Sequence, residues 1–373
     1  MSAGAPPMYD PASNNTTWRL IPTARHGEEA MRVHSRTRSR QVRIPRPTAV
    51  ACGRAVALLL GLQLAIAHAA DATLLTASHV NPPGEPTFEA FARMSKRLKD
   101  TGSALDLRLF PRGQVGDEKD IIEQVRLGAL TMAAVSTAAL SAFAPSAGVL
   151  DIPFLIRDHD RHPWAVSDGP VGEGIARRIE REAGVAVLGW WSAGMRHVFT
   201  RKTPVHSAGD LQGLKVRVIG SPVYRDTFNV IGAKATPMPY AEVYTALATG
   251  TIDAAENDTT NYRNLKFYEQ APQLSLTGHF FLFKVLIANR ERLARMTAAQ
   301  REAFDAAFLD ATAYQRSLSA WKFDADLKWL EQNTSVTVTR PDRALLEAAV
   351  RPVQEKYAKR FGQELVDAIR EAR

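Results

Sequence analysis

Residues 213–257 place the strongest constraint on the fold, because they read as strand, helix and strand in close succession. Lys215–Val218 is a short apolar strand entering a turn. Pro239–Thr249 has the pattern of a helix, and Gly250 stands where such a helix would end. A second apolar strand then leads to Asn257. The sequence therefore predicts an α/β sheet in which two neighbouring strands end close together, where open sheets of this class hold ligands.

Arg217 is the candidate binding residue of this stretch, because it lies between two valines of the first strand. Burying an arginine without an anionic partner is costly. Its planar fork matches a carboxylate through two parallel hydrogen bonds, which a lysine cannot copy. The alternative is an edge-strand arginine whose head stays in water. We expect Arg217 to be solvated while the site is open and to pair with an anion when it is occupied.

A second unit with the same order of elements occurs about 122 residues earlier. Ile121–Ser136 and Val243–Asn257 both run helix, glycine, strand. The first unit follows a glycine-rich turn, residues 113–118, in which Asp117 and Glu118 suit the positive end of a helix. Repetition of one unit favours two similar α/β lobes over one continuous sheet.

Three runs in these units resemble a known family. They are GLKVRV at 213–218, PMPYAEVYTAL at 237–247 and GTIDAAEN at 250–257. Together they are similar to the solute-binding proteins of tripartite ATP-independent periplasmic (TRAP) transporters, DctP type, from about Thr73 to the C terminus. The resemblance implies a two-lobe Venus-flytrap fold of the periplasmic binding proteins. Residues 70–193 with 282–320 would form lobe I, and residues 194–281 with 321–373 lobe II.

The resemblance also implies the site. Arg217 matches the family's carboxylate-binding arginine, and Arg196 matches the arginine of its G-x-R motif, a second positive donor. Asn257 would hydrogen-bond the ligand. Glu118 ends the family's G-x-x-G-x-E turn and is expected to bind ligand. His79 lies in a loop that borders the cleft in the family, although backbone groups could equally satisfy it.

The implied ligand is an organic acid anion, either a C4-dicarboxylate, a sugar acid or a similar carboxylate. The implied partners are the small and large membrane permease subunits of a TRAP transporter. We expect a monomer that has no enzymatic activity, no cofactor, no metal and no nucleic-acid partner. The alternatives are a binding protein that feeds a sensor kinase or a different importer, and a secreted two-domain enzyme.

Two further segments carry structural predictions. Thr297 and Gln300 form a capping box, and neither proline nor glycine follows until well past Glu331. A helix of about 35 residues would be roughly 50 Å long, which exceeds one lobe, so it is expected to span both. Val149–Leu155 is apolar and resembles the family's strand leading to a Pro-Phe turn.

The charge of the chain is unevenly distributed. The net charge is +8, but residues 1–69 hold nine arginines, no lysine and only three acidic residues. The basic excess therefore belongs to an N-terminal leader, which argues against nucleic-acid binding by the folded part.

The leader, residues 1–69, has the form of a signal peptide. Its apolar run Ala55–Ala67 is shorter than the roughly 20 residues that a bilayer requires. Residues 67–69 have the small-x-small form of a cleavage site, so the mature chain is expected to begin at Ala70, in the periplasm. A non-cleaved anchor is the alternative. Cys52, the single cysteine, precedes the apolar run, so the mature chain would contain none.

One cluster superficially suggests a metal site. Asp158, His159, Asp160 and His162 stand almost consecutively. Adjacent side chains diverge along any backbone and rarely converge on one ion, so we interpret this run as a solvated loop.

Overall fold

The computed structural model describes residues 72–373, and from Leu74 to Arg373 they form one compact unit. The predicted leader, its cleavage site and Cys52 lie outside the described residues. No helix among residues 72–373 combines the length and the apolar character that crossing a bilayer requires.

The described residues contain nine strands in one mixed sheet. Its order is β2-β1-β3-β8-β4-β7-β5-β6, and β9 pairs with β8. The strands are β1 Thr73–Ser78, β2 Leu105–Phe110, β3 Met132–Ser136, β4 Ala186–Thr200, β5 Lys215–Val218, β6 Lys234–Pro237, β7 Ala254–Asn257, β8 Gln273–Ala288 and β9 Thr337–Thr339.

Helices connect most of the strands and cover the sheet. They are α1 Pro86–Asp100, α2 Glu118–Arg126, α3 Thr137–Leu140, α4 His162–Ser167, α5 Pro170–Ala183, α6 Pro222–Val230, α7 Val243–Thr249, α8 Thr259–Asn264, α9 Arg290–Ala294, α10 Ala298–Asn333, α11 Arg343–Phe361 and α12 Gln363–Glu371.

The sheet is continuous because β4 and β8 are long enough to serve both lobes. They run antiparallel from the pair Ala186 and Ala288 at one end to the pair Thr200 and Gln273 at the other. Strand β3 pairs with the C-terminal part of β8, whereas β7 pairs with the C-terminal part of β4. We call the half with β1–β3 the first lobe and the half with β5–β7 the second lobe. The two predicted lobes are present, but the expectation that they would exclude one continuous sheet is corrected, since two shared strands join them.

The long helix α10 is confirmed and passes along both lobes. Thr297 accepts a hydrogen bond from the Gln300 backbone, and the Gln300 side chain accepts one from the Thr297 backbone, so the predicted capping box is present. Near its start, Phe304 and Phe308 pack in the core of the first lobe. Near its end, Leu330 packs in the core of the second lobe.

The prediction of a strand at Val149–Leu155 is wrong. Residues Pro145–Asp151 form a 3-10 helix instead, and a turn follows in which Phe154 has a φ of 58°. A short, wholly apolar run does not distinguish a buried strand from a buried helical turn, because neither shows alternation. Here the proline sits in the first turn of the helix, where its missing N–H costs nothing.

The C-terminal helices contact both lobes. Lys356 and Tyr357 of α11 hydrogen-bond Asp226 of the second lobe. Val366 and Ile369 of α12, in contrast, are buried in the core formed mainly by the first lobe. Residues 321–373, which are predicted to belong to lobe II, therefore pack against both lobes.

Candidate ligand-binding site

A cleft of about 770 Å³ separates the two lobes. The first lobe contributes its glycine-rich turn before α2, and the second contributes the ends of β5 and β6 with the loop that leads to α7. A smaller cavity of about 40 Å³ continues this space inward. Residues common to both spaces are Val80, Glu118, Arg217, Ile219 and Tyr240.

Arg217 lines both the cleft and the inner cavity. Its strand position is fixed by parallel pairing with Thr236 of β6 and Ala255 of β7. The residue is 3% exposed, so Arg217 is buried, and the expectation of a solvated side chain is corrected. Its Nε and Nη2 atoms donate to the Met238 carbonyl at 3.1 and 2.8 Å. Burial lowers the pKa of Arg217, and Glu256 offsets this only in part.

Arg217 makes no ion pair with any residue in the range 72–373. Of its five N–H groups, two are used on Met238. Three remain, on the two terminal nitrogens, which is sufficient for an end-on fork to a carboxylate. Arg217 is therefore a buried cation with free N–H donors and no ion-pair partner among residues 72–373.

Arg196 also lines the inner cavity, but its charge is balanced within the protein. Its Nε and Nη2 atoms lie 2.6 and 3.0 Å from the two carboxylate oxygens of Glu256. Nη2 also donates to the Glu256 carbonyl, and Nη1 donates to Asn257 Oδ1. Burial lowers the pKa of Arg196, but Glu256 outweighs it and the pKa is raised overall. One Nη1 hydrogen is left, with Asp258 at 3.8 Å.

Asn257 begins a chain of hydrogen bonds that crosses the cleft. Its Nδ2 donates to the Tyr240 hydroxyl at 3.1 Å, and that hydroxyl donates to Asn261 Oδ1 at 3.0 Å. Asn81 of the first lobe donates to the same Asn261 oxygen at 3.4 Å. The structure thus brings the predicted Asn257 together with three residues that sequence reasoning did not single out.

Glu118 is the first residue of α2 and faces the inner cavity from the first lobe. Asp117 caps the helix, which leaves the Glu118 carboxylate free to turn toward β3 and β8. There it accepts from Lys284 at 2.9 Å, from the Ser136 backbone at 2.8 Å and from the Ser136 hydroxyl at 2.6 Å. Burial raises the pKa of Glu118, but Lys284 and Ser136 outweigh it, so the pKa is lowered and the group is ionised.

His79 lies behind the cavity and lines neither the cleft nor its inner extension. Its ring stacks on Phe91 with centroids 5.6 Å apart, and Nδ1 accepts from the Asn81 backbone at 3.2 Å. Burial, with Lys284 nearby, lowers the pKa of His79 to about 3. The prediction that His79 borders the cleft is therefore corrected: its ring belongs to the core beneath the loop.

Lys284 is the main residue that sequence reasoning missed. It is 4% exposed and stands inside the apolar part of strand β8, residues 280–288, opposite Ser136 of β3. A lone cation in an apolar strand is the same signal that pointed to Arg217, and it would have found Lys284 as well.

Polar side chains of the run Asp158–His162 hydrogen-bond to backbone groups of the protein. Asp158 Oδ1 accepts from the backbones of Asp160, Arg161 and His162. His162 bonds the Arg157 backbone and the Ile369 carbonyl. Among residues 72–373, no group of three or more His, Cys, Asp or Glu side chains is placed so that it could hold a metal ion.

Comparison with known proteins places the chain in a family. A family model described as "Bacterial extracellular solute-binding protein, family 7" (DctP) matches residues 77–360. The chain therefore belongs to this family, the DctP-type solute-binding proteins of TRAP transporters. Its relatives are extracytoplasmic proteins that bind solutes.

Three relatives illustrate the similarity. The 2,3-diketo-L-gulonate-binding periplasmic protein of Escherichia coli is 32% identical over 274 residues, which are 73% of this chain and 83% of the relative. A solute-binding protein of Verminephrobacter eiseniae is 32% identical over 278 residues, covering 74% and 81%. A TRAP periplasmic solute-binding protein from Citrobacter koseri, solved with bound D-glucuronate, has a TM-score of 0.75 at 31% identity, covering 80% of this chain and 99% of that one.

These matches confirm the resemblance seen in the sequence and the two-lobe α/β fold. They also confirm the class of function, a solute-binding protein of a TRAP transporter.

Proposed function

We propose that the cleft binds the carboxylate of an organic acid anion, and that Arg217 is its charge partner. The class comprises C4-dicarboxylates, sugar acids and similar carboxylates. The observation that carries this proposal is Arg217 itself, a buried cation that lines the cleft and makes no ion pair within residues 72–373. The relatives from E. coli and C. koseri bind 2,3-diketo-L-gulonate and D-glucuronate, and both ligands carry a carboxylate.

The other predicted residues support this contact in different ways. Asn257 presents an amide to the inner cavity, and Arg196 fixes the orientation of that amide while offering its one remaining N–H. Glu118, on the lobe opposite Arg217, offers its carboxylate to the ligand as an acceptor. His79 acts indirectly, since it holds the Asn81 backbone in place.

We further propose that the ligand is delivered to the small and large permease subunits of a TRAP transporter by a monomeric protein with no enzymatic activity. Family membership supports the delivery of a bound solute to a TRAP permease, since the relatives are solute-binding proteins. Secretion would use the N-terminal leader, and sequencing of the periplasmic form is expected to begin at Ala70. An intact leader on the soluble form would contradict that start.

A thermal-shift screen of carboxylic acids, followed by calorimetric titration of the best ligands, tests the proposed function. A ligand at 100 times its dissociation constant adds about 2.7 kcal/mol of stability. Neutral sugars of the same size serve as the control and are expected to give no shift. If no carboxylate stabilises the protein, the proposed function is wrong.

Substitution of Arg217 then locates the contact. Arg217→Ala is expected to weaken carboxylate binding by about 2–5 kcal/mol, the range for truncating one partner of a buried charge pair, which is roughly 30- to several-thousand-fold. Arg217→Lys keeps the charge but loses the fork, so binding is still expected to weaken substantially.

The matched control is Arg351→Ala on the exposed face of α11, which should leave binding unchanged. The unliganded melting temperature of Arg217→Ala should change little, because loss of two hydrogen bonds to Met238 is offset by removal of a buried unpaired charge. Near-normal affinity in Arg217→Ala would remove this residue from the site.

A further inference from the structure

Asp151 joins the two walls of the binding site from behind. Its carboxylate oxygens lie 2.7 Å from the Thr137 hydroxyl of the first lobe and 3.2 Å from the Ser221 hydroxyl of the second. Thr137 directly follows Ser136, which lines the inner cavity, and Ser221 directly follows Gly220, which lines the cleft. Asp151 itself lines neither space, so it acts on binding only through its charge and through the two lobes that it connects.

The Asp151 carboxyl is buried without a cation to balance its charge. It is 1% exposed and makes no ion pair within residues 72–373. Both of its partners are neutral hydroxyls. A buried carboxylate that lacks a cation is costly, and such a group tends to bind a proton instead. In agreement with this geometry, the pKa of Asp151 is raised to about 7, with burial as the largest cause.

The nearby acids oppose the ionisation of Asp151, although each is paired with a cation. Glu256 and Glu118 both raise the pKa of Asp151. Glu256 pairs with Arg196, and Glu118 pairs with Lys284. These two pairs are closed within the protein. They are therefore not the groups whose charge balance changes most when an anion enters the site.

Arg217 is the cation whose charge balance does change. Tyr224 of α6 links it to Asp151: burial raises the pKa of this buried hydroxyl, Asp151 adds to the rise, and Arg217 opposes it. Asp151 and Arg217 thus act on one and the same buried group. Arg112 and Lys119 also line the cleft, but both are exposed, so water and salt screen their charges.

We propose that Asp151 takes up a proton when a carboxylate binds, so that the affinity for the anion falls as the pH rises above neutrality. This inference rests on the proposed function, since it assumes that the ligand carboxylate pairs with Arg217. Pairing neutralises a positive charge that favours ionised Asp151, so the complex holds the Asp151 proton more tightly than the free protein does. Because coupling is reciprocal, the protein with protonated Asp151 binds the anion more tightly than the protein with ionised Asp151.

The sign of the pH dependence follows from this coupling. Below neutrality Asp151 is protonated with and without ligand, so the affinity is constant and highest. Above neutrality the free protein loses the proton first, and binding must restore it, which weakens the apparent affinity. Where both forms are ionised the affinity is constant again and lowest. A rise of about one unit in the pKa of Asp151 on binding corresponds to about a tenfold difference between these limits.

Calorimetric titration of the wild-type protein at pH 6, 7, 8 and 9 measures the coupling. The probe is D-glucuronate, or the tightest-binding acid of the thermal-shift screen if D-glucuronate does not bind. The affinity is expected to fall about 5- to 10-fold from pH 6 to pH 9. Titration at pH 7.5 in phosphate and in Tris, which differ in ionisation enthalpy, should show uptake of about half a proton per ligand bound. An affinity independent of pH, or no proton uptake, would overturn the proposal.

Two variants assign the effect to Asp151. Asp151→Asn cannot ionise but keeps the shape, so its affinity should match that of wild type at pH 6, stay constant to pH 9 and show no proton uptake. Ser221→Ala removes a hydrogen bond that lowers the pKa of Asp151, so the fall in affinity should begin at a higher pH. A merely structural role would change the affinity of Asp151→Asn equally at every pH and leave the proton uptake in place, which would contradict the proposal.

The controls are two other acid-to-amide changes. Asp324→Asn alters an exposed acid of α10 and should keep the wild-type pH profile. Burial also raises the pKa of Glu85 to about 7, but Glu85 accepts hydrogen bonds only from Thr87 of its own lobe. Glu85→Gln should therefore keep most of the fall in affinity. If Glu85→Gln abolishes the pH dependence while Asp151→Asn retains it, the proposal is wrong.

Failure of this inference and failure of the proposed function give different results. If a carboxylate binds, and Arg217→Ala abolishes its binding, but the affinity does not vary with pH, the carboxylate site stands and the role of Asp151 falls. If the wider screen finds no carboxylate ligand at all, the proposed function falls, and this inference falls with it.

Discussion

At the residue scale, Asp151 is a buried acid that bridges the two lobes. It is 1% exposed and accepts from the Thr137 hydroxyl of the first lobe at 2.7 Å and from the Ser221 hydroxyl of the second at 3.2 Å. It forms no ion pair within residues 72–373. Its pKa is raised to about 7: burial is the largest cause, the hydrogen bonds from the two hydroxyls partly oppose it, and the nearby acids Glu256 and Glu118 add to the increase.

This raised pKa makes a prediction about pH. The folded protein holds a proton on Asp151 up to about pH 7, whereas the unfolded chain releases it near the ordinary value of 3.8. The Asp151 contribution to stability is therefore present at low pH and is lost as the pH rises between about 4 and 7. Asp151→Asn cannot ionise. Relative to wild type, its free energy of unfolding should increase with pH by up to about 1.4 kcal/mol per unit in that window.

Urea denaturation of wild type and Asp151→Asn at pH 5, 6, 7 and 8 would measure the difference. Asp324→Asn, an exposed acid-to-amide change on α10, is the control, and its difference from wild type should stay small at every pH. A difference for Asp151→Asn that does not vary with pH would show that this carboxyl ionises normally in the folded protein.

At the element scale, α10 ties the lobes together and should be sensitive to a break in its middle. Ala313→Pro removes a backbone hydrogen bond and clashes with the preceding turn, which costs about 3 kcal/mol or more. The matched control is Ala298→Pro at the first helical position, where proline is tolerated. Chemical denaturation should show a lower midpoint for Ala313→Pro only. An unchanged midpoint would mean that the helix contributes little to the junction.

Elements whose signals are local could be predicted from the sequence, and those that depend on distant pairing could not. The capping box of α10 and the strand that carries Arg217 follow from adjacent residues. The Glu118–Lys284 pair joins residues 166 positions apart, and every neighbour of Lys284 in residues 280–288 is apolar, so the run is read as an ordinary core strand. No local sequence pattern shows that both lobes share β4 and β8, because the sharing depends on which strands pair and not on the propensity of each segment to form a strand.

At the scale of the whole molecule, the shared elements determine how the protein unfolds. Strands β4 and β8 pair along almost their entire lengths and carry core residues of both lobes, and α10 packs on both. Neither lobe can lose its sheet without breaking these strands. The two lobes are therefore expected to unfold together as one unit, although the chain is long enough for two domains.

Scanning calorimetry of the periplasmic form tests this cooperativity. A single transition is expected, with equal calorimetric and van't Hoff enthalpies. Saturation with a cleft ligand should move the whole transition upward, because binding at the interface stabilises only the state in which both lobes are folded. Arg217→Ala should show the same single transition but lose the shift. Two separable transitions, of which only one responds to ligand, would show that each lobe folds by itself and that the shared strands do not couple them.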